Sequence, residues 1–384
     1  MKYFQQNGLV IKSWCENPED GAIAQAINLS QLPFVFHHIC LLPDTHQGYG
    51  MPIGGVMATN NVIVPNAVGK DIGCGMNAIK TSLTEIDTYS IKSIFKEIRK
   101  VVPLGFEHHK ELQDINYMPD EYKELPIVKQ QFNSAKKQIG TLGGGNHFIE
   151  IQKGDDGHIW IMIHSGSRNL GTKVADHYDK IAINLNQHYF SQVPKEWQLA
   201  FLPIESQEAK LYMREMQYCV DFALANRKLM MDRIMEIFNK LTGCTFEPMI
   251  NIAHNYAVWE HHFNKNVLVH RKGATSAKKD EIGIIPGSQG TSSYIVKGKG
   301  NPDSFTSCSH GAGRKMGRKQ AERTLNLEEE IKLLDDKGII HSIRGVQDLD
   351  EAANAYKNID IVMEEQKDLV DIIVKLKPLG AIKG

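Results

Sequence analysis

The chain has 384 residues and carries 44 Lys and Arg side chains against 45 Asp and Glu, which gives a formal net charge of -1. This balance excludes a general electrostatic attraction to nucleic acid or membranes, so contact with a polyanion requires a local basic patch. The six cysteines form no CxxC pair and no apolar run is long enough to span a membrane. We therefore expect a reducing, cytoplasmic environment and no membrane contact.

Apolar and β-branched runs alternate with segments of helical spacing along the chain. The β-branched runs predict strands at 52–64, 158–163, 250–253 and 267–270. Apolar spacings of three and four residues predict helices at 86–102, 208–241 and 351–375. Residues 103–130 and 196–207 are predicted as surface connections, the former as a candidate lid. No fixed-period repeat or convincing linker is present, so residues 1–384 are predicted to form one mixed α and β domain.

Six glycine-rich segments also contain Cys, His, Asp, Asn or Ser, a combination typical of backbone that approaches a ligand closely. They are GKDIGCGM at 69–76, GTLGGGNHFIE at 140–150, HSGSRNLG at 164–171, NIAHN at 251–255, PGSQGTSSY at 286–294 and SHGAGRKMGR at 309–318. Most of them follow the ends of predicted strands. We expect the functional site to be built from these segments.

Four of the segments supply side chains that bind transition metals, namely Asp71, Cys74, His147, His164 and His254. A mixture of carboxylate, thiolate and imidazole suits a divalent transition metal, and a thiolate can bridge two ions. A two-metal site is therefore a candidate. Taken singly, each histidine is more often a hydrogen-bonded core or surface group, and Cys74 alone is as often a small buried hydrophobe.

Two further segments suggest phosphate chemistry. A neutral His310 imidazole is a competent nucleophile toward phosphorus, and Arg314 and Arg318 can hold phosphate oxygens. The alternative is a turn that leads into a solvated basic helix, and the residues alone leave both interpretations open. PGSQGTSSY offers hydroxyls and backbone N–H groups for a phosphate or nucleoside but matches no Walker motif. His46, in PDTHQGYG, is expected to support the metals without ligating them.

Together these segments resemble the RtcB family of GTP- and manganese-dependent RNA ligases. The resemblance runs in order through PDTHQGYGMPIGG, DIGCGM, GGGNHFIE, HSGSRNLG, HNYA, HRKGAT, PGSQGTSSY, SHGAGR and KPLGAIKG, and so covers nearly the whole chain. It implies an α+β fold in which stacked β-sheets surround a deep metal-lined cleft, with helices outside. The domain over residues 1–384 would then be a single RtcB-like catalytic domain.

The resemblance also implies a reaction. An RNA 3′-phosphate, often derived from a 2′,3′-cyclic phosphate, is joined to a 5′-hydroxyl in RNA repair or tRNA splicing. His310 would attack the α-phosphate of GTP and carry GMP, which then passes to the RNA 3′-phosphate. One Mn2+ would be held by Asp71, Cys74 and His147, and the other by Cys74, His164 and His254.

The remaining roles carried over from the family concern nucleotide and RNA. Arg168, Arg314 and Arg318 would contact RNA phosphates. The nucleotide contacts would be Asn146, Glu150, Ser288, Ser293, Ala312, Gly313, Tyr356 and Lys383. Ala353 stands where the family has proline, which weakens the local match behind Tyr356. The chain is also compact for the family, so a recognition insert is expected to be absent.

Two alternatives to the ligase remain at this stage. A two-metal phosphodiesterase or nuclease would use the same ligands to activate water, with His310 as general acid. An inactive RNA-binding protein with structural metals would bind RNA without turnover. The sequence leaves open the natural RNA, the need for an archease-type activator and the oligomeric state. Ligand chemistry alone does not select manganese, because zinc or cobalt would bind such a site more tightly.

Overall fold

A computed structural model describes residues 1–384, and its centre is two large β-sheets. The first sheet has six strands, in which only the second and third in chain order pair in parallel. In spatial order they are β1 (Lys2–Phe4), β2 (Val10–Ser13), β3 (Val35–Tyr49), β4 (Met51–Thr59), β12 (Lys265–Lys272) and β11 (Asn255–His262). It therefore combines an N-terminal strand group with a hairpin from the second half of the chain.

The second sheet has seven strands and is antiparallel throughout. In spatial order they are β10 (Ile250–Ala253), β6 (Gly75–Lys80), β8 (Ile159–Ser165), β7 (Phe148–Gly154), β17 (Val370–Lys383), β15 (Ser293–Gly298) and β14 (Ile282–Ile285). Two small sheets pair β5 (Val62–Ile63) with β9 (Leu202–Pro203), and β13 (Ala274–Ser276) with β16 (Ser307–Ser309).

Eight α-helices accompany the sheets. They are α1 (Asp20–Ser30), α2 (Thr88–Val101), α3 (Pro126–Gln138), α4 (Arg168–His188), α5 (Gln207–Thr242), α6 (Arg318–Thr324), α7 (Leu327–Asp335) and α8 (Ile359–Glu365). The Asp87 side chain caps α2 by accepting from Ser90 N–H, and Gly243 ends α5 in the left-handed conformation. None of the helices combines the length and hydrophobicity that a membrane span needs.

The side-chain alternation of the strands divides each sheet into an outer and an inner face. On β8, Ile161 and Ile163 pack outward against α2 and α5, whereas Trp160 and Met162 belong to an inner cluster. On β3, Ile39 and Leu41 pack with α1, whereas Cys40 and Leu42 join a core shared with β15 and β17 of the second sheet. On β15, Tyr294 and Val296 belong to this shared core, whereas Ile295 belongs to the inner cluster of Trp160. The second sheet therefore curves around its own inner cluster and packs against the first sheet with its other face, and the expected α+β class is confirmed.

Most of the predicted elements are confirmed. Predicted strand 52–64 is broken at Asn60 and Asn61 into β4 and β5, and the three other strand predictions match β8, β10 and β12. The helices predicted at 86–102 and 208–241 match α2 and α5. Residues 103–125 carry only two 3-10 turns, but α3 begins inside the predicted connection, at Pro126.

The predicted helix at 351–375 is wrong. Residues 346–355 form 3-10 turns, α8 lasts only seven residues, and β17 follows. The first half of β17 pairs with β15 and its second half pairs with β7, so the strand fills the centre of the second sheet. The β-branched residues Val370, Ile372, Ile373 and Val374 favour this strand, and the sheet's need for a hydrogen-bonding partner outweighs their helix-like spacing.

Candidate active site

The candidate metal-binding side chains meet at the inner face of the second sheet. His164 lies on β8 in line with Trp160 and Met162, and Cys74 and His147 lie in the residues just before β6 and β7. Gly75 allows β6 and β10 to lie close together, because a Cβ on residue 75 would collide with the Ile252 carbonyl oxygen on β10. His254 follows β10 directly, so four neighbouring strands bring the cluster together.

The cluster consists of two triads that share Cys74. One contains Asp71, Cys74 and His147, and the other contains Cys74, His164 and His254. The Cys74 Sγ lies 3.6 Å from His147 Nε2 and 3.3 Å from His164 Nε2. His147 Nε2 lies 3.3 Å from Asp71 Oδ2, and His164 Nε2 lies 3.5 Å from His254 Nε2. The structure thus groups the five residues as the resemblance implied, while their role as ligands stays a prediction.

The hydrogen bonds of the histidine rings show which nitrogens face the centre. His147 Nδ1 lies 2.9 Å from the Leu142 carbonyl oxygen, and His164 Nδ1 lies 3.0 Å from that of Asn146. A ring that donates its Nδ1 proton to a carbonyl keeps its lone pair on Nε2. The lone pairs of these Nε2 atoms therefore converge near the Cys74 sulfur, and a cation relieves their mutual repulsion.

The electrostatics of the cluster also fit a metal. Burial lowers the pKa of both His164 and His254 well below the ordinary value, so these rings are neutral, as a metal ligand must be. Burial and the neighbouring Asp71 raise the pKa of the Cys74 thiol, so a thiolate there requires a cation beside it. A buried set of sulfur, imidazole and carboxylate donors suits divalent transition metals.

Helix α5 holds the loops that carry these side chains. The Asn226 Oδ1 accepts from Gly140 N–H at 2.7 Å and from Thr141 N–H at 3.2 Å. Its Nδ2 donates to the Thr141 and Gly166 carbonyls and to the Ser165 hydroxyl. One buried amide thus fixes the loop before His147 and the loop after His164 relative to each other.

Arg227, the next residue of α5, supports the same region and is fully buried. Its Nη1 donates to the Gly73 and Ser165 carbonyls at 2.9 and 2.8 Å, and its Nε donates to Asn251 Oδ1 at 2.8 Å. Burial lowers the pKa of Arg227 to about 10, and Cys74 and Asp71 act in the opposite direction. The positive charge of Arg227 therefore lies next to the triads without entering them.

His310 lies beside the second triad and is held by Asp44, a fully buried residue of β3. Its ring centroid is 4.8 Å from that of His254, and its Nδ1 is 2.6 Å from Asp44 Oδ2. The same oxygen accepts from the backbone N–H of His310 at 2.9 Å and of Gly311 at 3.3 Å. Burial acts to raise the pKa of Asp44, but His310 outweighs it and the pKa lies below the ordinary value. Asp44 is therefore an anion that accepts a hydrogen bond from Nδ1, and Nε2 is the ring nitrogen that remains available.

A cavity of about 350 Å³ opens beside His310 and His164, within the range of small-ligand sites. Seven of the eight residues expected to contact nucleotide line it: Asn146, Glu150, Ser288, Ala312, Gly313, Tyr356 and Lys383. Ser293 does not line it, and instead its hydroxyl accepts from Gly287 N–H and Gln152 Nε2. Ser293 therefore shapes the loop that carries Ser288.

Glu150 and Lys383, on the neighbouring strands β7 and β17, both line this cavity. Burial raises the pKa of Glu150 to about 8, although Gln152 and Lys383 oppose the shift. Burial also lowers the pKa of Lys383, whose ammonium lies 5.4 Å from the Phe148 ring centroid. The cavity therefore has one wall with a protonated carboxyl and a cation, which together can bind a polar heterocycle by hydrogen bonds.

The chain is similar to known proteins along nearly its whole length. The family model described as tRNA-splicing ligase RtcB matches residues 25–126 and 114–384. The chain is 36% identical over 400 positions to RNA-splicing ligase RtcB of Escherichia coli, with 97% of each chain covered. It is 32% identical over 444 positions to tRNA-splicing ligase RtcB of Nanoarchaeum equitans, covering 95% of this chain and 92% of the relative. The chain belongs to the RtcB family.

This RtcB family member is compact. The alignment with the Nanoarchaeum equitans protein spans 444 positions, more than the 384 residues of this chain. The archaeal relative therefore carries residues without a counterpart here. The alignment with the Escherichia coli protein is much shorter, at 400 positions, so the two chains match with few inserted residues.

The three arginines expected at RNA phosphates differ in their surroundings. Arg168 lies near the first triad, with Nη1 3.5 Å from His147 Nδ1. Arg314 is bound within the protein, because Nη1 lies 3.1 Å from Glu351 Oε2 and Nη2 donates to the Asp350 carbonyl. Arg318 is half exposed, and its Nε lies 3.1 Å from Glu351 Oε1. Arg318 thus has more freedom than Arg314 to reach a ligand.

Several residues of the site could not be predicted from the sequence. Asp44 and His310 are far apart in the chain, and no spacing relates them. Glu351 is buried and binds Arg314, Arg318 and the Tyr356 hydroxyl, which keeps Tyr356 at the cavity despite Ala353. His46, expected to support the metals, lines the cavity and lies 2.9 Å through Nδ1 from the Asp44 carbonyl oxygen. It supports the His310 side of the site, not the triads.

Replacing Asn226 by Leu should destabilise the loops around the triads. The change keeps the side-chain volume but leaves buried backbone groups of residues 140, 141 and 166 without partners, at a cost of about 2–5 kcal/mol. Urea denaturation measures this loss in the free energy of unfolding, and the affinity for a divalent transition metal should fall about 10–100-fold. Gln217→Leu, at an exposed position of α5, is the control. Equal effects of the two changes would refute the supporting role of Asn226.

The protein should become less stable as the pH rises, because folding keeps a proton on Glu150. The folded protein binds this proton more tightly than the unfolded chain, because the pKa is about 8 when folded and 4.5 ordinarily. Unfolding free energy therefore falls as pH rises between those values. Glu150→Gln removes this loss, so the stability difference between variant and wild type should grow across that window. Urea denaturation at several pH values, without nucleotide or metal, tests this. The exposed Glu236→Gln is the control. A stability difference between Glu150→Gln and wild type that stays constant with pH would contradict the prediction.

Proposed function

We propose that this protein joins an RNA 3′-phosphate or 2′,3′-cyclic phosphate end to an RNA 5′-hydroxyl end, with GTP as the energy source. Membership of the RtcB family supports RNA ligase activity in tRNA splicing or RNA repair. Residues 1–384 would act as a single catalytic domain, since the site takes Asp44 from the first sheet and Lys383 from the last strand of the second.

One observation carries the proposal, namely the place of His310. Its ring lies between the His254 triad and the cavity of about 350 Å³, and its Nδ1 is committed to Asp44. A nucleophile fixed in one tautomer, next to a cation site and a nucleotide-sized cavity, suits attack on an α-phosphate. The solvated basic turn, which the residues alone left open, does not agree with a buried carboxylate partner.

The reaction needs His310 because a bare RNA 3′-phosphate has no good leaving group. His310 Nε2 forms a bond to the α-phosphorus of GTP, and pyrophosphate leaves. A 3′-phosphate oxygen then takes GMP from His310, and the 5′-hydroxyl attacks the activated 3′-phosphate and releases GMP. Asp44 stabilises the positive charge that the His310 ring acquires when it carries the phosphoryl group. Hydrogen bonding to Asp44 also keeps the ring in one orientation through both transfers.

The five converging donors would hold two Mn2+ ions, one with Asp71, Cys74 and His147 and one with Cys74, His164 and His254. When bound, the ions neutralise and orient phosphate oxygens at the reacting centre. Arg168 and Arg318, and Arg314 to a smaller extent, would hold RNA phosphates at the cleft. The Glu150 and Lys383 wall would bind guanine, and the loop of Ser288 with Ala312 and Gly313 would contact the rest of the nucleotide.

His310→Ala should abolish the covalent intermediate. After incubation with Mn2+ and GTP labelled at the α-phosphate, the wild-type protein should retain label on denaturing gels and the variant should retain none. Asp44→Asn should keep the nucleophile but slow labelling by about 10²–10⁴-fold, because the ring loses its anionic partner. His261→Ala, at an exposed histidine, is the control. A label that persists in His310→Ala would refute His310 as the nucleophile, whereas the absence of any label in wild type would favour a two-metal hydrolase over the ligase.

Cys74→Ala should remove manganese activation, since both triads lose their shared sulfur. RNA joining at saturating Mn2+ should fall by at least about a hundredfold, and the metal-binding stoichiometry should drop below two. Cys244→Ala, at a buried cysteine in the core between α5 and the second sheet, controls for loss of a buried thiol. Unchanged joining in Cys74→Ala would contradict the bridging role.

A further inference from the structure

A second cavity, of about 870 Å³, adjoins the active-site cavity, and we call it the basic groove. His46, Ile53, Arg314 and Arg318 line both cavities, so the two are direct neighbours. The basic groove runs between the β3–β4 hairpin and the segment 314–320. Its lining includes three exposed or half-exposed cations, Lys70, Lys315 and Arg318, against one acid, Glu19.

A third cavity, of about 580 Å³, lies next to the basic groove, and we call it the aromatic groove. Tyr49 and Asn66 line both, and the far wall is formed by the end of α4 and the connection after it. This wall contributes Ile183, Phe190 and Pro194, together with the exposed Lys195. The three cavities therefore lie side by side in a row from His310 to Phe190, and we call this row the path.

Two aromatic rings stand out from this path into solvent. Tyr49 is 61% exposed at the tip of the hairpin, and Phe190 is 91% exposed just after α4. Phe190 also has a left-handed backbone with φ of 51°, which is unfavourable for a bulky residue and is associated with functional sites. Large apolar side chains at such exposure cost solvation free energy, which a stacked partner would recover.

The segments that carry these rings are held in place by hydrogen bonds. Asn66 Nδ2 donates to the Gln198 carbonyl at 2.9 Å, and the buried Lys272 ammonium donates to the Tyr49 and Asn66 carbonyls. Asn186 exchanges two hydrogen bonds with the backbone of Phe201 and so closes the loop that contains Phe190. The two exposed rings therefore lie on an ordered surface.

The charge along the path favours a polyanion, although acids are present. Lys70 forms an ion pair with Asp176 at 2.9 Å, and Asp179 lines the aromatic groove. Arg314 and Arg318 share the single carboxylate of Glu351, so one of their two charges is uncompensated. Together with Lys195 and Lys315 this excess outnumbers the remaining acids, Glu19 and Asp179, by one charge. Cations that follow a backbone, combined with aromatic rings for successive bases, are the features that bind single-stranded nucleic acid.

We propose that the RNA strand that ends in the 3′-phosphate lies along the basic and aromatic grooves, with its bases stacked on Tyr49 and Phe190. This rests on the proposed function, in which that strand must bring its end to His310. The basic groove enters the cleft at His46, which like His310 is bound to Asp44, whereas Arg168 lies beside His147 of the first triad. A strand in this groove therefore reaches the His310 side of the site.

The test measures kcat/KM for RNA joining with a fixed 5′-hydroxyl strand and 3′-phosphate strands of about 3 to 16 nucleotides. For wild type, kcat/KM should rise with the length of the 3′-phosphate strand. The double variant Tyr49→Ala, Phe190→Ala should lose about tenfold or more with the longest strand, because each stacked base contributes about 1–3 kcal/mol. With the shortest strand it should match wild type.

Two sets of variants make the result specific. Tyr49→Phe with Phe190→Trp retains both rings and should restore the length dependence. Tyr89→Ala, at an exposed aromatic of α2, should leave it unchanged. Lys315→Ala should reduce the slope of log affinity against log salt by about 0.7 for a labelled 3′-phosphate oligonucleotide. These variants change only exposed side chains, and thermal unfolding verifies that each is folded.

Several outcomes would overturn the proposal. A loss that is equal for short and long strands, or a loss that follows the length of the 5′-hydroxyl strand, would refute the assigned path. Unchanged oligonucleotide binding by the double variant would assign the grooves to something other than RNA. Labelling of His310 by GTP needs no RNA, so it tests the proposed function separately. A labelled enzyme whose length dependence survives the double variant refutes the path alone.

Discussion

The contact between Asp44 and His310 is the constraint on which the rest of the site depends. Asp44 is fully buried, and one of its oxygens receives three N–H groups from residues 310 and 311. A buried carboxylate is unfavourable unless its charge is compensated, so these donors must stay in place while the protein is folded. The carboxylate thus joins β3 of the first sheet to the loop after β16 and sets the position of His310 Nε2.

The metal cluster depends on a different kind of constraint, namely the packing of the second sheet against α5. The outer isoleucines of β8 bury against Met230 and Ile234, and this places His164 on the opposite face of the same strand. Asn226 and Arg227 then reach from α5 around the ends of the strands to the backbone at Gly73, Gly140 and Gly166. The hydrophobic core and the polar supports of the cluster come from one helix, so stability and metal geometry are coupled.

The parts of the fold and site that could be predicted are those whose signal is local in sequence. Helices α2 and α5 follow from apolar spacing, and Cys74, His147 and His254 follow from donors set among glycines and strand ends. Asp44, Arg227 and Glu351 could not be found this way, because their partners lie far along the chain. Strand β17 was mistaken for a helix because its residues satisfy both periodicities, and only the gap between β7 and β15 decides between them.

The near-neutral net charge of the chain does not describe how its cations are distributed in space. Many cations are used within the protein, as with Arg227 at the triads, Arg271 against Glu260, and Arg314 against Glu351. The cations that remain free beside the cavities are few, but they lie along the path, where each contributes to the same local potential. Since screening at physiological salt limits charge interactions to about 8 Å, neighbouring cations determine binding to a polyanion and the total charge does not. A near-neutral protein with this arrangement would attract a strand of the proposed kind at these cavities and not over the rest of its surface, which favours productive binding.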